Sequence, residues 1–519
     1  MQLKGYFTHK NIFLFGIILI AVGMPLSRFL VSISYFVLLG NWIIERNFVS
    51  KWNTLKNSKT FWAFVAIYLF YVIGLLWTTD YAYGIKDLRT KLPMLWLPVL
   101  FYTSPKITKK EYHTVMHLFV LACIIASFCS ISAYFGVLHK KVQNVRDISL
   151  FESHIRFSLM IVLSIVYMFF SFLNPVLIKQ KVVYLLVLCW LLFFLVFLQS
   201  FTGLFILGIL TAVGIIVFLF SKQSLWFKIS FLVIVGGMFI YSVYLISDEY
   251  KKLHIVNQID FEKLPDYNKQ GHIYYHEKKY RFTENGNYIY ILMCEEELKK
   301  EWIKKSKLNY DSFDNRKNPL RYTLIRYMTS KGLTKDSIGF SNLTAADIRH
   351  IENGYPNYLY TNPTNIRTRI HELLWEINHY VGRQETNGHS LTMRLEFWKT
   401  AYHIIKQNLW FGVGTGDVKD AFNKQYEKEN SLLKKEWQLR SHNQYLATTV
   451  AIGIVGLLFF LVHLLTPFFS KKKLSVFFVF FLLIVFLSFI NEDTLETQAG
   501  LTFCIFFTQL LFHNDEYNV

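Results

Sequence analysis

The chain has 519 residues, of which 53% are hydrophobic and 49 are phenylalanine, and its formal net charge is +19. Apolar runs close to the ~20 residues that cross a bilayer recur along it, which excludes an ordinary soluble protein. The runs are continuous rather than alternating, which excludes a membrane β-barrel. Basic residues are dispersed along the chain, which argues against a nucleic-acid partner. The composition therefore predicts an all-α polytopic membrane protein.

The apolar runs predict about twelve transmembrane helices. Backbone polar groups left unpaired in lipid cost several kcal/mol each, so each continuous run must be helical. The fourth run is too short to cross unless its helix begins back near Ala82. The predicted spans are residues 11–24, 28–44, 60–77, 92–103, 113–137, 157–173, 182–199, 203–221, 229–247, 447–469, 474–490 and 499–513.

Short basic loops set the predicted orientation, because Lys and Arg are retained on the cytoplasmic side. These loops are residues 46–59, 106–110, 179–181, 222–228 and 471–473. All of them fall on one side, and an even number of spans then places both termini in the cytoplasm. The first apolar run lacks a small-residue cleavage site, so we interpret it as an uncleaved span.

This layout divides the chain into three predicted regions. Residues 1–247 form an N-terminal membrane domain of about nine spans, and residues 447–519 form a C-terminal membrane domain of about three. Residues 248–446 form a large outer loop domain between them.

Several cations at the outer mouth of the spans run against the positive-inside bias. Lys86 and Arg89 lie in the loop after the third span, and Arg156 lies at the lip of the sixth. Such a set favours an anionic ligand, for example a phosphate or pyrophosphate. The alternative is that these side chains anchor lipid headgroups.

The outer loop domain is predicted to be mixed α/β. Its β-like runs are residues 271–275 and 288–292, and its helical runs are 320–331, 345–352 and 365–380, the second capped by Thr344. Residues 394–407 carry apolar side chains at helical spacing and are expected to lie along the membrane surface.

Arg440, His442 and Asn443 stand together where this domain meets the apolar run that opens at about Ala447. A cation, an imidazole and an amide at that boundary suit an enzyme whose substrate has its tail in lipid and its reactive head in water. The alternative is an interfacial cation and imidazole that extend to the lipid headgroups.

Other polar groups are interpreted as non-catalytic. Residues 412–417 are glycine-rich but lack a preceding strand and a following Lys-Ser/Thr, so they are expected to form a flexible turn rather than a nucleotide loop. The histidines show no metal-binding spacing, so no metal site or cofactor is predicted. Glu492, Asp493 and Glu496 are expected to be solvated. The scarcity of ionisable residues within the spans argues against an ion-coupled transporter.

Four motifs together resemble the O-antigen ligase and polymerase superfamily. They are Ser390-Leu391-x-x-Arg394-x-x-x-Trp398-x-x-Ala401, Gly412-Val413-Gly414-x-Gly416, Arg440-Ser441-His442-Asn443-x-Tyr445-Leu446 and Gly453-x-x-Gly456. The motif match covers about residues 390–456, and the layout of spans extends the resemblance over most of the chain. His154-Ile155-Arg156 and Glu496-Thr497-Gln498-Ala499-Gly500 are similar to further motifs of that family. Residues of about 250–385 depart from it, as an insertion larger than in many members.

The resemblance implies a GT-C-like glycosyltransferase of the bacterial inner membrane, embedded among membrane lipids, with its active site facing the periplasm. Such an enzyme takes a glycan from undecaprenyl pyrophosphate and transfers it to a sugar hydroxyl of the lipid A-core. The transfer would proceed with inversion and without a metal or cofactor.

The residues are compatible with that chemistry. An inverting transfer needs a base for the acceptor proton, and His442 is suitable because an imidazole ordinarily titrates near ~6.5. The departing pyrophosphate needs its charge neutralised, for which guanidinium forks are well shaped. Arg156 and Arg394 are the first candidates for that role.

Further residues are expected to contact the substrates. Arg440, Lys86 and Arg89 are additional candidates for binding the pyrophosphate. Asn443 is expected to orient His442 or the acceptor, and Trp398 to form a platform for a sugar or the membrane.

Alternative functions stay open at this point. A polysaccharide polymerase or a protein O-oligosaccharyltransferase would use the same donor with another glycan or a protein as acceptor. A polysaccharide exporter or lipid flippase would share twelve spans, but the spans are poor in polar residues and the cations cluster at the outer face.

Overall fold

The computed structural model describes residues 8–137, 148–174, 177–219, 224–361, 365–383, 390–431, 433–470 and 473–517. The chain forms two compact units. Unit 1 contains residues 1–221 and 384–519, and unit 2 contains residues 222–383.

Unit 1 is helical throughout its described residues. Its helices before unit 2 are α1 (His9–Leu26), α2 (Arg28–Ile44), α3 (Phe48–Lys56), α4 (Lys59–Ile73), α5 (Tyr81–Lys91), α6 (Pro93–Thr103), α7 (Lys109–Tyr134), α8 (His154–Leu173), α9 (Ile178–Leu198) and α10 (Phe201–Leu219). Those after unit 2 are α17 (Ser390–Gln407), α18 (Val418–Lys428), α19 (Gln444–Phe469), α20 (Val476–Asn491) and α21 (Gln498–Asn514).

Hydroxyl side chains begin many of these helices. In each case the side-chain oxygen accepts a hydrogen bond from the backbone N–H three residues on, which satisfies one of the free donors of the first turn. The capping residues are Thr8, Ser27, Ser58, Thr108, Ser153 and Ser475. Each of these residues therefore marks the start of its helix.

All twelve predicted spans coincide with helices, and the all-α membrane class is confirmed. Within the described residues, seven helices are long and apolar enough to cross a membrane, or eight if the pair α2 and α3, bent by 109°, forms one span. The seven are His9–Leu26, Lys59–Trp77, Lys109–Tyr134, His154–Leu173, Ile178–Leu198, Lys228–His254 and Gln444–Phe469. The count of twelve stays a prediction.

The short helix α21 is enclosed by protein. Of its 17 residues, 14 are buried, and its phenylalanine rings contact other helices. Phe507 lies 4.7 Å from Phe119 of α7, and Phe503 lies 5.9 Å from Phe481 of α20, both measured between ring centroids. A helix surrounded by side chains in this way does not need the full length of a lipid-facing span.

Helix α19 is broken within its length. Ile452 and Gly453 have non-helical backbone angles, and Gly453 has a φ of 69°. The glycine-rich segment supplies the hydrogen bonds that the break removes, since the Val413 N–H donates to the Val450 carbonyl at 2.9 Å. A break inside an apolar helix is tolerated when other protein groups satisfy the freed backbone atoms.

The segment 412–417 is therefore a packed structural element, and its interpretation as a flexible turn was wrong. A Cβ atom added to Gly453 would lie 2.1 Å from the Trp410 carbonyl oxygen. On the other side, the Thr415 hydroxyl donates to the Tyr71 carbonyl at 2.7 Å. The glycines are needed because backbone approaches backbone here.

Unit 2 is also mainly helical over its described residues. Its elements are α11 (Leu225–His254), β1 (Thr283–Glu284), β2 (Asn287–Tyr288), α12 (Glu295–Lys305), α13 (Leu320–Ser330), α14 (Ser337–Ser341), α15 (Ala345–Glu352) and α16 (Ile366–Arg383). The three helices predicted at 320–331, 345–352 and 365–380 are confirmed as α13, α15 and α16, and Thr344 forms a capping box at the start of α15.

The predicted mixed α/β character was wrong for the described part of unit 2. Only the two-residue strands β1 and β2 pair, through an Asn285-Gly286 turn with φ values of 48° and 84°. The β-like run 271–275 contributes only isolated bridges, such as Tyr275 to Met293. Instead, side chains of α12 to α15 form the core around the fully buried Trp302 and Phe340.

Candidate functional site

The site of unit 1 is built around the turn that precedes α19. The Asn443 side chain caps α19, accepting from the Leu446 N–H at 3.1 Å, and its Nδ2 donates to the Ile490 carbonyl at the end of α20 at 2.9 Å. The Ser441 hydroxyl donates to the Asn443 carbonyl at 3.0 Å. Both ends of the Asn443 amide are thus used to hold the turn that carries His442.

His442 adopts a left-handed backbone conformation with a φ of 45°. Non-glycine residues take this region rarely, although histidine does so more often than most. The imidazole lies against Phe397 of α17, with ring centroids 5.6 Å apart. Its Nδ1 atom is buried and faces carboxylates, 3.8 Å from Glu492 Oε1 and 3.6 Å from Asp493 Oδ1. This orientation leaves Nε2 as the nitrogen that a substrate can reach.

The three carboxylates after α20 are buried, so the expectation that they are solvated was wrong. Glu492 and Asp493 are 6% and 4% exposed, and the Glu496 side chain is 7% exposed. Buried charges are costly unless they are paired. Each of the three lies beside cationic side chains, which accounts for its burial.

Glu492 joins His442 to Arg156. Its Oε1 atom lies 3.7 Å from Nη2 of Arg156, and Nη1 of the same guanidinium lies 3.4 Å from Oε1 of Glu152. Burial raises the pKa of Glu492, but the nearby His442 imidazole and the charges of Arg156 and Arg394 outweigh it, so the pKa lies below its usual range. Glu492 is therefore an anion among the candidate catalytic side chains.

Arg440 is held by the other two carboxylates. Its guanidinium lies 3.3 Å from Asp493 and 3.1 Å from Glu496. Burial raises the pKa of Asp493, and the neighbouring Arg440 and His442 only partly oppose that effect. Because both terminal nitrogens of its guanidinium are paired, Arg440 links Asp493 to Glu496.

Lys91 completes the network from the end of α5. Its side chain is 1% exposed, and its ammonium lies 2.7 Å from Asp87 and 2.8 Å from Glu496. The ammonium also lies 4.8 Å from the centroid of the Tyr71 ring. Although burial raises the pKa of Glu496, the charges of Lys91 and Arg440 lower it well below its usual range.

The remaining predicted residues occupy different positions. Arg394 and Trp398 lie on α17 with Phe397, and Arg394 is near enough for its charge to lower the pKa of Glu492. Trp398 packs against the hydrophobic core of unit 1. Lys86 and Arg89 are exposed on α5 and form no ion pair within the described residues. The structure thus brings together His442, Arg156, Arg394 and Arg440, and leaves Lys86 and Arg89 outside the cluster.

One group of side chains has the composition of a metal site. His442, Glu492 and Asp493 each offer a ligand atom, and these atoms lie within 4.8 Å of one another. Arg156 and Arg440 already neutralise the two carboxylates, however, and a divalent cation would have to displace them. The two carboxylates are thus shared between the imidazole and the two arginines.

The comparison with known families agrees with the resemblance predicted from the motifs. Residues 349–461 match the family model described as O-antigen ligase. This segment of the chain is similar to the O-antigen ligase family. No curated protein matches the chain. The match includes Arg394, Trp398, Arg440, His442 and Asn443, whereas Arg156 and the carboxylates after α20 lie outside it.

The cluster also contains side chains that were not predicted as site residues. Lys91 pairs with Asp87 and Glu496, whereas Glu492, Asp493 and Glu496 lie beside the predicted Arg156 or Arg440. Two signals pointed toward them: Asp87 and Lys91 stand four residues apart on a helix, and three carboxylates follow an apolar run within five positions. Neither signal predicts which residues pair across the fold, because Lys91 and Glu496 are 405 positions apart in the sequence.

Proposed function

We propose that this protein transfers a glycan from undecaprenyl pyrophosphate to an acceptor sugar hydroxyl of the lipid A-core, on the periplasmic face of the inner membrane. The observation that carries the proposal is that Glu492 lies within 4 Å of both His442 and Arg156, beside the turn that precedes α19. An O-antigen ligase domain supports a glycosyltransferase of this type.

The base in this mechanism is Nε2 of His442. The acceptor hydroxyl gives its proton to Nε2 as its oxygen attacks the anomeric carbon from the face opposite the pyrophosphate. The bond from that carbon to the pyrophosphate oxygen breaks, and undecaprenyl pyrophosphate leaves with the electron pair. Glu492, which faces the same ring from the Nδ1 side at 3.8 Å, holds the imidazole in place and stabilises the imidazolium that forms.

The pyrophosphate is bound by arginines. Arg156 is held loosely, at 3.4 Å from Glu152 and 3.7 Å from Glu492, which is longer than the 2.7–2.9 Å of a strong charge-assisted hydrogen bond. Phosphate oxygens can therefore take over its guanidinium. Arg394 supplies a second fork, and the exposed Lys86 and Arg89 are available to the lipid-linked phosphates. No metal is required, because the guanidinium groups neutralise the leaving group.

The surface phenotype of a deletion strain tests this function. Loss of polymer-capped lipopolysaccharide with accumulation of lipid-linked polymer is expected, and wild-type protein should restore the polymer whereas His442→Ala should not. A single repeat unit on the lipid A-core would instead indicate a polymerase, and loss of glycoproteins would indicate a protein O-oligosaccharyltransferase. Unchanged envelope glycans would contradict the proposal.

A further inference from the structure

Unit 2 contains a cavity that the proposed mechanism does not use. Its volume is about 530 Å³, within the ~300–1,000 Å³ typical of sites for small ligands. Its walls come from the end of α11, the turn after β1, the segment before α16 and α16 itself. The lining residues include Glu249, Ile255, Asn285, Tyr358, Thr368 and His371.

Buried polar side chains face this cavity. Glu249, Thr368 and His371 are only 4%, 8% and 3% exposed, yet all three border it. Nδ1 of His371 pairs with the Tyr360 hydroxyl at 3.2 Å, which leaves Nε2 for a ligand. Thr368 and Glu249 are also hydrogen-bonded within the fold, Thr368 to the Leu359 carbonyl and Glu249 to basic side chains. Their remaining oxygen lone pairs and Nε2 of His371 are the polar groups left for a hydroxyl-bearing ligand.

A buried network holds the wall at Asn285 in position. The Asn285 amide donates to the Ser330 carbonyl at 3.0 Å and pairs with Asn357. Asn357 in turn donates to Glu284 at 2.8 Å, and Arg326 donates to Glu284 at 2.9 Å. A wall fixed before binding lowers the entropy cost of taking up a ligand.

The charges around the cavity cancel. Lys252 lies 2.8 Å from Asp248 and 3.1 Å from Glu249, and Arg367 pairs with the same two carboxylates. Burial lowers the pKa of His371 and keeps its imidazole neutral. Two cations balanced by two carboxylates offer no excess charge to a phosphate, so the chemistry favours an uncharged ligand.

We propose that this cavity binds an uncharged saccharide. Tyr358 and Ile255, 41% and 59% exposed, present apolar surface to the ring face of a sugar. The oxygens of Glu249 and Thr368 accept hydrogen bonds from its hydroxyls, and Nε2 of His371 pairs with another. Asn285 shapes the wall, because its amide is already used by Ser330 and Asn357. The placement of this saccharide within a donor or acceptor glycan rests on the proposed function, whereas the binding itself does not.

Binding can be measured with the full-length protein in phosphatidylcholine nanodiscs. The probe is an array of uncharged oligosaccharides built from hexoses, 6-deoxyhexoses and N-acetylhexosamines, with sulfated analogues and inorganic pyrophosphate alongside. The wild type should bind at least one uncharged oligosaccharide. Tyr358→Ala, and Ile255→Trp, which adds bulk at an exposed wall, should each weaken that binding tenfold or more. Tyr358→Phe and the control Tyr267→Ala, at an exposed tyrosine away from the cavity, should retain it.

The same assay separates the possible failures. The proposal is overturned if no uncharged oligosaccharide binds, if sulfated analogues or pyrophosphate bind in preference, or if folded Tyr358→Ala and Ile255→Trp both bind like the wild type. If the wild type transfers no glycan but its binding still depends on Tyr358, the proposed function fails while the saccharide site stands.

Discussion

At the residue scale, the backbone strain at His442 indicates how the site is built. A non-glycine residue held in the left-handed region costs of the order of 1–3 kcal/mol, which the surrounding contacts must offset. Ser441 and Asn443 supply those contacts on either side of His442, and Phe397 supports the ring. Strain maintained in this way holds the imidazole beside the buried Glu492 and Asp493.

Replacing His442 tests whether it acts as a base. His442→Ala should lower the transfer rate by about 10²–10⁴-fold, the usual contribution of a general base. His442→Gln keeps a hydrogen-bonding group but cannot accept the proton, so it should fail to the same extent. The measurement is turnover of purified protein at saturating donor. If the Gln variant keeps most of its activity, His442 only positions the acceptor and another base must exist.

Arg156 and Arg394 are expected to bind the pyrophosphate through their forked geometry. Ala at either position should lower transfer by about ten- to hundred-fold, because a charge-assisted contact contributes roughly 1.5–3 kcal/mol. Lys should restore little, since it cannot form the fork. The exposed Arg46 on the same chain provides a control, and Arg46→Ala should transfer normally.

Metal dependence tests whether arginines alone neutralise the pyrophosphate. Chelators should leave turnover unchanged. A strict requirement for an added divalent cation would instead assign a ligand role to His442, Glu492 and Asp493.

Sequence motifs identified the cations of the site but not their anionic partners. His442, Arg394 and Arg440 lie in short patterns that can be recognised locally. Glu492 and Glu496 were misjudged because burial of a carboxylate depends on which distant cations fold against it. Arg156 and Glu492, for example, come from helices α8 and α20, whose packing no local pattern specifies.

At the element scale, Glu496 connects α5 to the turn before α19. Its carboxylate pairs with Lys91 at 2.8 Å and with Arg440 at 3.1 Å. Glu496→Gln leaves these cations less well paired, and breaking a buried ion pair costs about 3–5 kcal/mol. A clear loss of thermal stability at pH 7 is expected, whereas Asp260→Asn, at an exposed surface pair, should change little.

The stability contributed by the Glu496 carboxylate is expected to depend on pH. Since the folded pKa of Glu496 is lowered, its stabilisation is complete above the ordinary carboxyl pKa of ~4.3 and is lost as pH falls through the lowered folded value. The wild type and Glu496→Gln should therefore converge in stability on acidification. A difference that is constant with pH would show that the carboxylate charge is not responsible.

The break in α19 depends on Gly453. An added Cβ would collide with the Trp410 carbonyl at 2.1 Å, and the φ of 69° disfavours any other residue. Gly453→Ala should therefore lower the amount of folded protein in the membrane and its thermal stability. Gly208 of α10 is the matched control, because an added Cβ there meets nothing within 4 Å. Equal behaviour of the two variants would show that the break is not needed for folding.

Helices were predictable where apolar periodicity and a cap coincide. Thr344 and the run 345–352 predicted α15 to the residue. The β-like runs misled because alternating Tyr and Ile side chains also suit irregular loops that pack on helices. The position of the break in α19 was not predictable, because its hydrogen bonds come from a segment some forty positions earlier.

At the scale of the whole molecule, the number of spans depends on what surrounds each helix. Helix α20 has 16 residues and α21 has 17, and both are largely buried. Both are shorter than the ~20 residues that cross a bilayer, so they are not among the seven or eight helices that are long and apolar enough to do so. The sequence count of twelve includes such short apolar helices and stays a prediction.

The topology can be tested by reporter fusions, and the proposed mechanism depends on the result. The alternating basic loops predict that fusions after Lys110 and Lys181 report a cytoplasmic location, and that a fusion at Asn315 reports a periplasmic one. A paired alkaline phosphatase and green fluorescent protein series gives opposite signals for the two sides and so controls for expression. A cytoplasmic signal at Asn315 would place unit 2 away from the compartment where lipid-linked glycans are transferred. Residues 248–446 could then not carry out the periplasmic transfer proposed for them.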